Sequence, residues 1–197
     1  MIDVYLASSS PRRRELLAQI GIRFELLACD VDESRGAGEP AAAYVERIAR
    51  GKAIAGLQLR ESRALPPHPV LAADTVVIVD GDLLGKPADA AQAALFLRRL
   101  SGRRHEVRTA VALAPAPGGG GAEVETSVSS VAFRELGDDE IARYVAGPEP
   151  YDKAGGYAIQ GRAAAFAERI EGSYSGIMGL PLATTARLLA RAGIRVI

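Results

Sequence analysis

Segments with strand character and segments with helix character alternate along this chain, and this alternation most constrains its fold. The strand-like segments are apolar and β-branched runs at 4–8, 23–28, 70–84, 105–115, 123–136 and 164–172. The helix-like segments repeat apolar residues every three or four positions at 11–20, 41–60, 88–100, 138–147 and 181–193. Because no strict βαβ repeat is present, we expect an α/β fold: a mixed twisted sheet with flanking helices and two lobes around a central cleft.

Two glycine-containing turns divide the strand-like segments into hairpins. Asp80-Gly81 separates two apolar runs, which is typical of a tight hairpin turn. The run Gly118 to Gly121 lies between two strand-like segments and predicts the tip of a second hairpin. It is not expected to bind phosphate, because no helix beginning with Lys-Ser or Lys-Thr follows it.

Composition limits the classes of partner and the compartment. The chain has 197 residues, 48% of them hydrophobic, which is enough for a packed core. Lys plus Arg and Asp plus Glu both total 24, so no overall field favours nucleic acid or an anionic membrane. A single cysteine excludes an internal disulfide, and neither a secretion signal nor a run of 18 apolar residues is found, which predicts a cytoplasmic protein.

The segment "LASSSPRRRELLAQIG" places positive charge where a helix does not favour it. Ser10-Pro11 predicts a helix start, and Arg12, Arg13 and Arg14 then fall in the first turn, at the positive end of the helix dipole. The hydroxyls and backbone N–H groups of Ser8, Ser9 and Ser10 form the kind of helix start that binds phosphate. We therefore expect an anion in front of this turn, with Arg13 pointing along the apolar stripe of the helix. The alternative is that the three are solvated surface arginines beside an ordinary Ser-Pro cap.

Three lysines occur in positions that suit a phosphate ligand. Lys52 lies in the middle of the apolar face of the 41–60 helix, so its ammonium must either extend to solvent or meet an anion. Lys86 is held between Gly85 and Pro87 in "LGKP", and Lys153 lies in "YDKAGGYAIQG". Loop lysines of this kind are also common as simple solvated charges.

Asp74 is the acid most indicative of chemistry, because an aspartate within an apolar strand is costly unless it is paired, protonated or bound to metal. Carboxylate oxygens suit Mg²⁺ or Mn²⁺, and Glu33 in the acidic loop is a candidate second ligand, or else a solvated loop acid. With only His68 and His105 present, a histidine-rich zinc site or a Ser-His-Asp triad has little support.

The glycine-rich segment 151–161 allows two interpretations. Its glycines let the backbone approach a ligand closely, and Gln160 can donate to and accept from the edge of a nucleobase. Alternatively, it is a tight structural turn with Tyr157 in the core. Together with the cations and the buried acid, the segment suggests a nucleotide polyphosphate as ligand.

These stretches resemble the Maf family of nucleoside triphosphate pyrophosphatases along nearly the whole chain. The matching segments are "LASSSPRRRELL", "ERIARGKA", "AADTVV", "LGKP", "YDKAGGYAIQG" and "GSYSGIMGLPL". The resemblance implies a single domain over 1–197 with a fold related to the inosine triphosphate pyrophosphatases, and a divalent cation, Mg²⁺ or Mn²⁺. It implies Asp74 as catalytic acid and polar cleft residues at Ser9, Arg13, Glu33, Lys52, Lys86 and Lys153.

Within the family, Arg12, Thr75 and Gln160 resemble the specificity positions of the branch that hydrolyses dTTP and UTP to the monophosphate and pyrophosphate. The resemblance also implies a homodimer. Two alternatives stay open: a purine (inosine or xanthosine) triphosphate pyrophosphatase, and a non-catalytic nucleotide-binding regulator of cell division. Nucleic-acid binding is not expected, because a neutral chain without a basic stripe releases few counterions.

Overall fold

The structure is a computed structural model that describes residues 2–115 and 121–196. Its strands are β1 (Val4–Leu6), β2 (Phe24–Leu26), β3 (Val70–Val79), β4 (Asp82–Leu84), β5 (Arg104–Ala114), β6 (Glu123–Phe133) and β7 (Ala167–Glu171). Its helices are α1 (Pro11–Gln19), α2 (Ala41–Ser62), α3 (Ala90–Leu100), α4 (Asp138–Val145), α5 (Tyr174–Met178) and α6 (Leu182–Arg191).

The seven strands form one mixed sheet, as the sequence predicts. The order is β2-β1-β3-β5-β6-β7, and β4 pairs with β3. Strand β1 runs parallel to β2 and β3, whereas β3 with β4 and β6 with β7 are antiparallel. The expected turn between β3 and β4 is present, with positive φ at both Asp80 (52°) and Gly81 (82°). The α/β fold with a mixed sheet is therefore confirmed.

The long periodic segments were predicted best, and the short ones least well. Helix α2 extends slightly beyond the predicted 41–60, and β1 is shorter than the predicted 4–8. The five-residue helix α5 and the single 3-10 turns at Ala154–Gly156 and Arg162–Phe166 were not predicted, because one turn shows no periodicity in a sequence. Residues Gly118 to Gly120 of the expected glycine-rich hairpin tip lie outside the described residues.

The chain divides into two compact units. The first comprises Met1–Asp74, Thr109–Ser127 and Gly179–Ile197, and the second Thr75–Arg108 and Val128–Met178. The long strands β3, β5 and β6 contribute residues to both. The cleft expected between two lobes and the single domain over 1–197 stay predictions.

In the first unit, α2 packs closely on the parallel strands. Its buried residues include Val45, Ile48, Ala49 and Gly56, as the apolar stripe predicts. The stripe did not predict Arg60, which is 1% exposed and donates from Nη1 to the carbonyl oxygen of His68 at 2.6 Å. A buried guanidinium requires such an acceptor, and no local pattern shows it in advance.

The core of the second unit contains a group of aromatic side chains among aliphatic ones. His105 is buried, with 3% of its surface exposed, and its ring makes edge-to-face contacts with Phe133 and Tyr157. Its Nε2 is 2.8 Å from the Tyr157 hydroxyl. Burial lowers the pKa of His105 to about 4, so the ring is neutral at physiological pH. Tyr157 of the glycine-rich segment is thus a core residue, as the structural interpretation of that segment predicted.

None of the helices within residues 2–115 and 121–196 is long and apolar enough to cross a membrane.

The contact between α2 and β3 generates a matched test of packing. A Cβ at Gly56 would lie 2.7 Å from Val70 Cγ1 and 3.1 Å from Ala7 Cβ, whereas one at Gly51 would meet no atom within 4 Å. We expect Gly56→Ala to lower the free energy of unfolding by about 1–3 kcal/mol, because the helix must move away from the sheet. We expect Gly51→Ala to raise it by about 0.5–1 kcal/mol through helix propensity.

Urea unfolding of both variants measures this difference. Equal stabilisation by the two substitutions would show that α2 does not pack on β3 as closely as described.

Candidate active site

Asp74 lies in the middle of β3, directly after the buried residues Leu71, Ala72 and Ala73. Its side chain is 13% exposed, and Oδ1 accepts a hydrogen bond from Lys52 Nζ at 2.8 Å. An aspartate within an apolar strand is expected to be paired, protonated or bound to metal, and in this structure Asp74 is paired with Lys52. The Lys52 ammonium offsets the cost of burying this carboxyl group within an apolar strand.

Lys52 holds two carboxylates together. Its Nζ lies 2.8 Å from Asp74 Oδ1 and 2.6 Å from Glu33 Oε1, and its side chain is 14% exposed. Of the two alternatives for this lysine, the structure therefore shows the one in which the ammonium meets anions. With two carboxylates around one ammonium, the cluster carries a net charge of −1. We call Glu33, Lys52 and Asp74 the carboxylate–lysine cluster.

Glu33 reaches the cluster from a loop, and its carboxylate remains open to solvent. The side chain is 53% exposed, in contrast to the two other members of the cluster. Two residues of α2 that the sequence argument did not single out contact this loop: Tyr44 Oη donates to the Glu33 carbonyl oxygen, and Arg47 Nη2 donates to that of Ser34, both at 2.9 Å.

The serine segment before α1 is organised by one buried hydroxyl. Ser8 is 7% exposed, and its Oγ accepts from Ser10 N at 3.2 Å and from Arg13 Nη1 at 3.3 Å. Ser10 occupies the N-cap position before Pro11, as predicted. Within the described residues, its side chain makes no capping hydrogen bond. Ser9 is exposed.

The Arg13 guanidinium makes hydrogen bonds within the protein. Nε donates to the Gly179 carbonyl oxygen at 2.8 Å, which ties the first turn of α1 to the "GLPL" segment. Burial lowers the pKa of Arg13 from its usual value, whereas the charge of Asp74 raises it. Arginine stays protonated at neutral pH despite such shifts, so Arg13 adds positive charge near the carboxylate–lysine cluster. Arg12 is half-buried in the same turn.

The other predicted site residues belong to the second unit. Thr75 follows Asp74 in β3, and strand alternation directs its side chain to the opposite face of the strand. Lys86 and Gln160 are exposed. Lys153 Nζ donates to the Glu149 carbonyl oxygen at 2.9 Å and pairs with the carboxylate of Asp152.

The second unit does bring "LGKP" and the glycine-rich segment together. Gly155 N donates to the Gly85 carbonyl oxygen at 3.0 Å, one residue before Lys86. Gly155 has φ of 74°, and a Cβ there would lie 2.9 Å from Val77 Cγ2. Only glycine satisfies both the left-handed backbone and the close approach.

Glu149, which the sequence argument missed, organises the end of this segment. Its carboxylate accepts from Tyr144 Oη at 2.8 Å and from the backbone N–H groups of Arg162 and Ala163 at 3.1 and 3.3 Å. Burial raises the pKa of Glu149, but these hydrogen bonds together outweigh it and leave the pKa below its usual value. The signal in the sequence was a carboxylate two residues before the glycine-rich segment.

Comparison with solved structures places the fold in a known class. A HAM1 protein from Coxiella burnetii aligns with a TM-score of 0.52 at 18% sequence identity, covering 98% of this chain and 100% of that one. At this identity the similarity concerns the fold alone. The chain therefore has the same α/β fold class as the HAM1 protein.

Within that class, the chain belongs to the Maf family, because the family described as Maf-like protein matches residues 3–192. A dTTP/UTP pyrophosphatase of Aromatoleum aromaticum is 56% identical over 96% of this chain and 95% of that protein. Proteins of the same name from Chromobacterium violaceum and Ralstonia nicotianae are 52% and 54% identical, covering 98% and 97% of this chain and 96% and 94% of their own lengths.

Burial predicts that the two carboxylates interact unequally with Lys52. In chelator-treated protein, double-mutant cycles with Lys52→Met and Asp74→Asn should give a coupling free energy of about 1–3 kcal/mol, because both groups are shielded from water. The cycle with Glu33→Gln should give less than about 1 kcal/mol, because half of Glu33 is solvated.

Urea unfolding of the single and double variants supplies both values. A larger coupling to Glu33 than to Asp74 would contradict the geometry described.

Proposed function

We propose that this chain is a nucleoside triphosphate pyrophosphatase that hydrolyses dTTP and UTP to the monophosphate and pyrophosphate. The observation that carries the proposal is full-length similarity, at 50–56% identity, to relatives named dTTP/UTP pyrophosphatase. The carboxylate–lysine cluster supports it, because it combines acid and cation at one point of the first unit.

A divalent cation fits the donor set. Among residues 2–115 and 121–196, no group of three or more His, Cys, Asp and Glu side chains forms a protein-only metal cage. Two carboxylates, Asp74 and Glu33, meet at Lys52 instead. Mg²⁺ and Mn²⁺ suit such a pair, since they commonly take their remaining ligands from water and substrate phosphates. When bound, the ion would offset phosphate charge and make a bound water more acidic.

The reaction needs an acceptor for a proton and a compensating charge for the leaving group. Water attacks the α-phosphorus, the bond from that phosphorus to the bridging oxygen breaks, and pyrophosphate leaves with the bond electrons. Asp74 accepts the proton of the attacking water directly, or it would hold, together with Glu33, the divalent cation that makes this water more acidic. Lys52 holds the Asp74 carboxylate in place through the hydrogen bond from Nζ to Oδ1 at 2.8 Å. Most of the rate enhancement would come from positioning and charge stabilisation.

The remaining candidate residues are assigned by the same proposal. The cations that would neutralise the triphosphate are Arg13, Lys52, Lys86 and Lys153, with backbone N–H groups at Ser8, Ser9 and Ser10. Arg12, Thr75 and Gln160 would read the pyrimidine edge or the neighbouring phosphate. The exposure of Gln160 supports this role, because its amide is accessible to a base.

Partners and compartment complete the proposal: a homodimer in the cytoplasm that binds no nucleic acid. The most basic stretch of the second unit supports the last point. Its arginines each pair with an acid: Arg98 with Asp138, Arg99 with Asp82, Arg103 with Asp80 and Arg104 with Glu171. A surface neutralised in this way gains little from contacting phosphate backbones.

Substrate profiling tests the proposal. Purified protein with Mg²⁺ or Mn²⁺ is incubated with canonical and modified triphosphates, and monophosphate and pyrophosphate are both measured. We expect both products in equal amounts, fastest from dTTP and UTP, and loss of activity in EDTA. Preference for inosine or xanthosine triphosphate would favour the purine alternative. Binding without products would favour the regulator.

The acid is tested by Asp74→Asn. We expect kcat to fall by about 10²-fold or more with KM changed by less than about threefold, because the carboxylate acts mainly in the transition state. Asp138→Asn, which alters an exposed acid paired with Arg98, serves as control and should leave both constants unchanged. Near wild-type turnover by Asp74→Asn would remove this acid from the chemistry.

Base selection is tested by Gln160→Ala. We expect the preference for UTP over CTP, measured as the ratio of kcat/KM, to narrow by about tenfold or more, because a site that hydrogen-bonds a base discriminates strongly. Gln58→Ala removes another exposed amide, on α2, and should leave the ratio unchanged. An unaltered ratio in Gln160→Ala would exclude this residue from base recognition.

A further inference from the structure

The acidic loop that carries Glu33 is anchored by its backbone to helix α2. Residues 27–36 between β2 and α2 form no helix or strand. Tyr44 Oη donates to the Glu33 carbonyl oxygen and Arg47 Nη2 to the Ser34 carbonyl oxygen, each at 2.9 Å. Two consecutive peptide groups of the loop are therefore fixed by side chains one helical turn apart.

A second set of bonds closes the loop around the Arg47 guanidinium. Nε and Nη2 of Arg47 donate to Oε1 and Oε2 of Glu39 at 2.7 and 2.8 Å. The Glu39 carbonyl oxygen accepts from Arg35 Nη2 at 2.6 Å. Hydrogen bonding from Arg47 lowers the pKa of Glu39 to about 2, so this pair is ionised across the physiological range. The Arg47 guanidinium also lies 5.5 Å from the centre of the Tyr44 ring.

The contact of Glu33 with Lys52 needs such anchors. The Glu33 side chain is 53% exposed, and a half-solvated ion pair contributes about 0–1 kcal/mol. Ordering the backbone of a loop costs about 1–2 kcal/mol per residue. The ion pair is therefore too weak to hold the loop, and the position of the carboxylate depends on the bonds made to the backbone.

We propose that Tyr44 and Arg47 are positioning residues that fix the Glu33 carboxylate against Lys52 and Asp74 and thereby set the rate of the reaction. This inference rests on the proposed function and assigns two residues to it. Neither side chain needs to touch the substrate. Their effect on catalysis passes entirely through Glu33.

The test compares variants in two backgrounds. Arg47→Ala and Tyr44→Phe should each lower kcat by about tenfold, because a displaced Glu33 carboxylate no longer lies where it would hold the divalent cation beside Asp74. Arg47→Lys should recover part of the loss. In a Glu33→Gln background the same substitutions should have no further effect on kcat, since the group through which they act is already removed.

Two matched controls separate positioning from general loss of structure. Arg23→Ala removes another two-bond arginine–carboxylate pair, with Asp3, on the surface of the first unit. Tyr174→Phe removes the hydroxyl of a tyrosine that is 49% exposed. Both controls should keep wild-type kcat. Losses that are equally large in the Glu33→Gln background would overturn the inference, as would wild-type kcat in Arg47→Ala and Tyr44→Phe.

Hydrogen–deuterium exchange provides a readout that does not need activity. The amides of residues 30–39 should exchange about tenfold faster in Arg47→Ala than in the wild type or Arg23→Ala, because the loop loses its anchor. Unchanged exchange overturns the inference. If the wild-type protein hydrolyses no triphosphate, the proposed function is overturned, and so is the role of Tyr44 and Arg47 in catalysis. Hydrogen–deuterium exchange would still show whether α2 anchors the loop.

Discussion

The bond from the Lys52 ammonium to the Asp74 carboxylate is the interaction on which the candidate site depends. β3 supplies an acid among apolar residues, and α2 supplies a cation from within its own apolar face. Each group would be costly to bury alone, and each is compensated by the other at 2.8 Å. The close packing of Gly56 on Val70 keeps α2 near the strand from which Asp74 projects. Packing and electrostatics thus determine the same geometry.

A different principle organises the second unit. There a half-buried carboxylate, Glu149, accepts bonds from backbone N–H groups and holds the glycine-rich segment that carries Lys153 and Gln160. Tyr157 of the same segment packs in the core against His105 and is hydrogen-bonded to it. A polar group can specify a local structure in this way only if it is hydrogen-bonded. In the first unit, by contrast, the acidic loop is held by bonds from Tyr44 and Arg47 of α2 to its backbone carbonyl oxygens.

The sequence predicted what periodicity records and missed what depends on tertiary partners. The apolar stripe of α2 and the apolar runs of β3 predicted both elements. Lys52 and Asp74 were noticed because each is a charged residue at an apolar position of its element. The stripe did not predict the burial of Arg60, whose acceptor is a backbone carbonyl eight residues away. The same reason explains why the sequence did not single out Tyr44, Arg47 and Glu149. Their partners are backbone groups of loops, and loop conformations leave no periodic pattern in a sequence. Glu33 was a candidate metal ligand from its place in the acidic loop, but the pattern left open that it is a solvated loop acid, and the resemblance to a family favoured the first alternative.

A crystal structure with Mn²⁺ and a non-hydrolysable dUTP analogue tests the central claim most directly, because anomalous scattering locates the ion independently of the nucleotide. The account predicts an Mn²⁺ ion bonded to both Asp74 and Glu33, with the α-phosphate of the nucleotide beside it. An ion and a triphosphate bound elsewhere, with Lys52, Asp74 and Glu33 contacting neither, would contradict it.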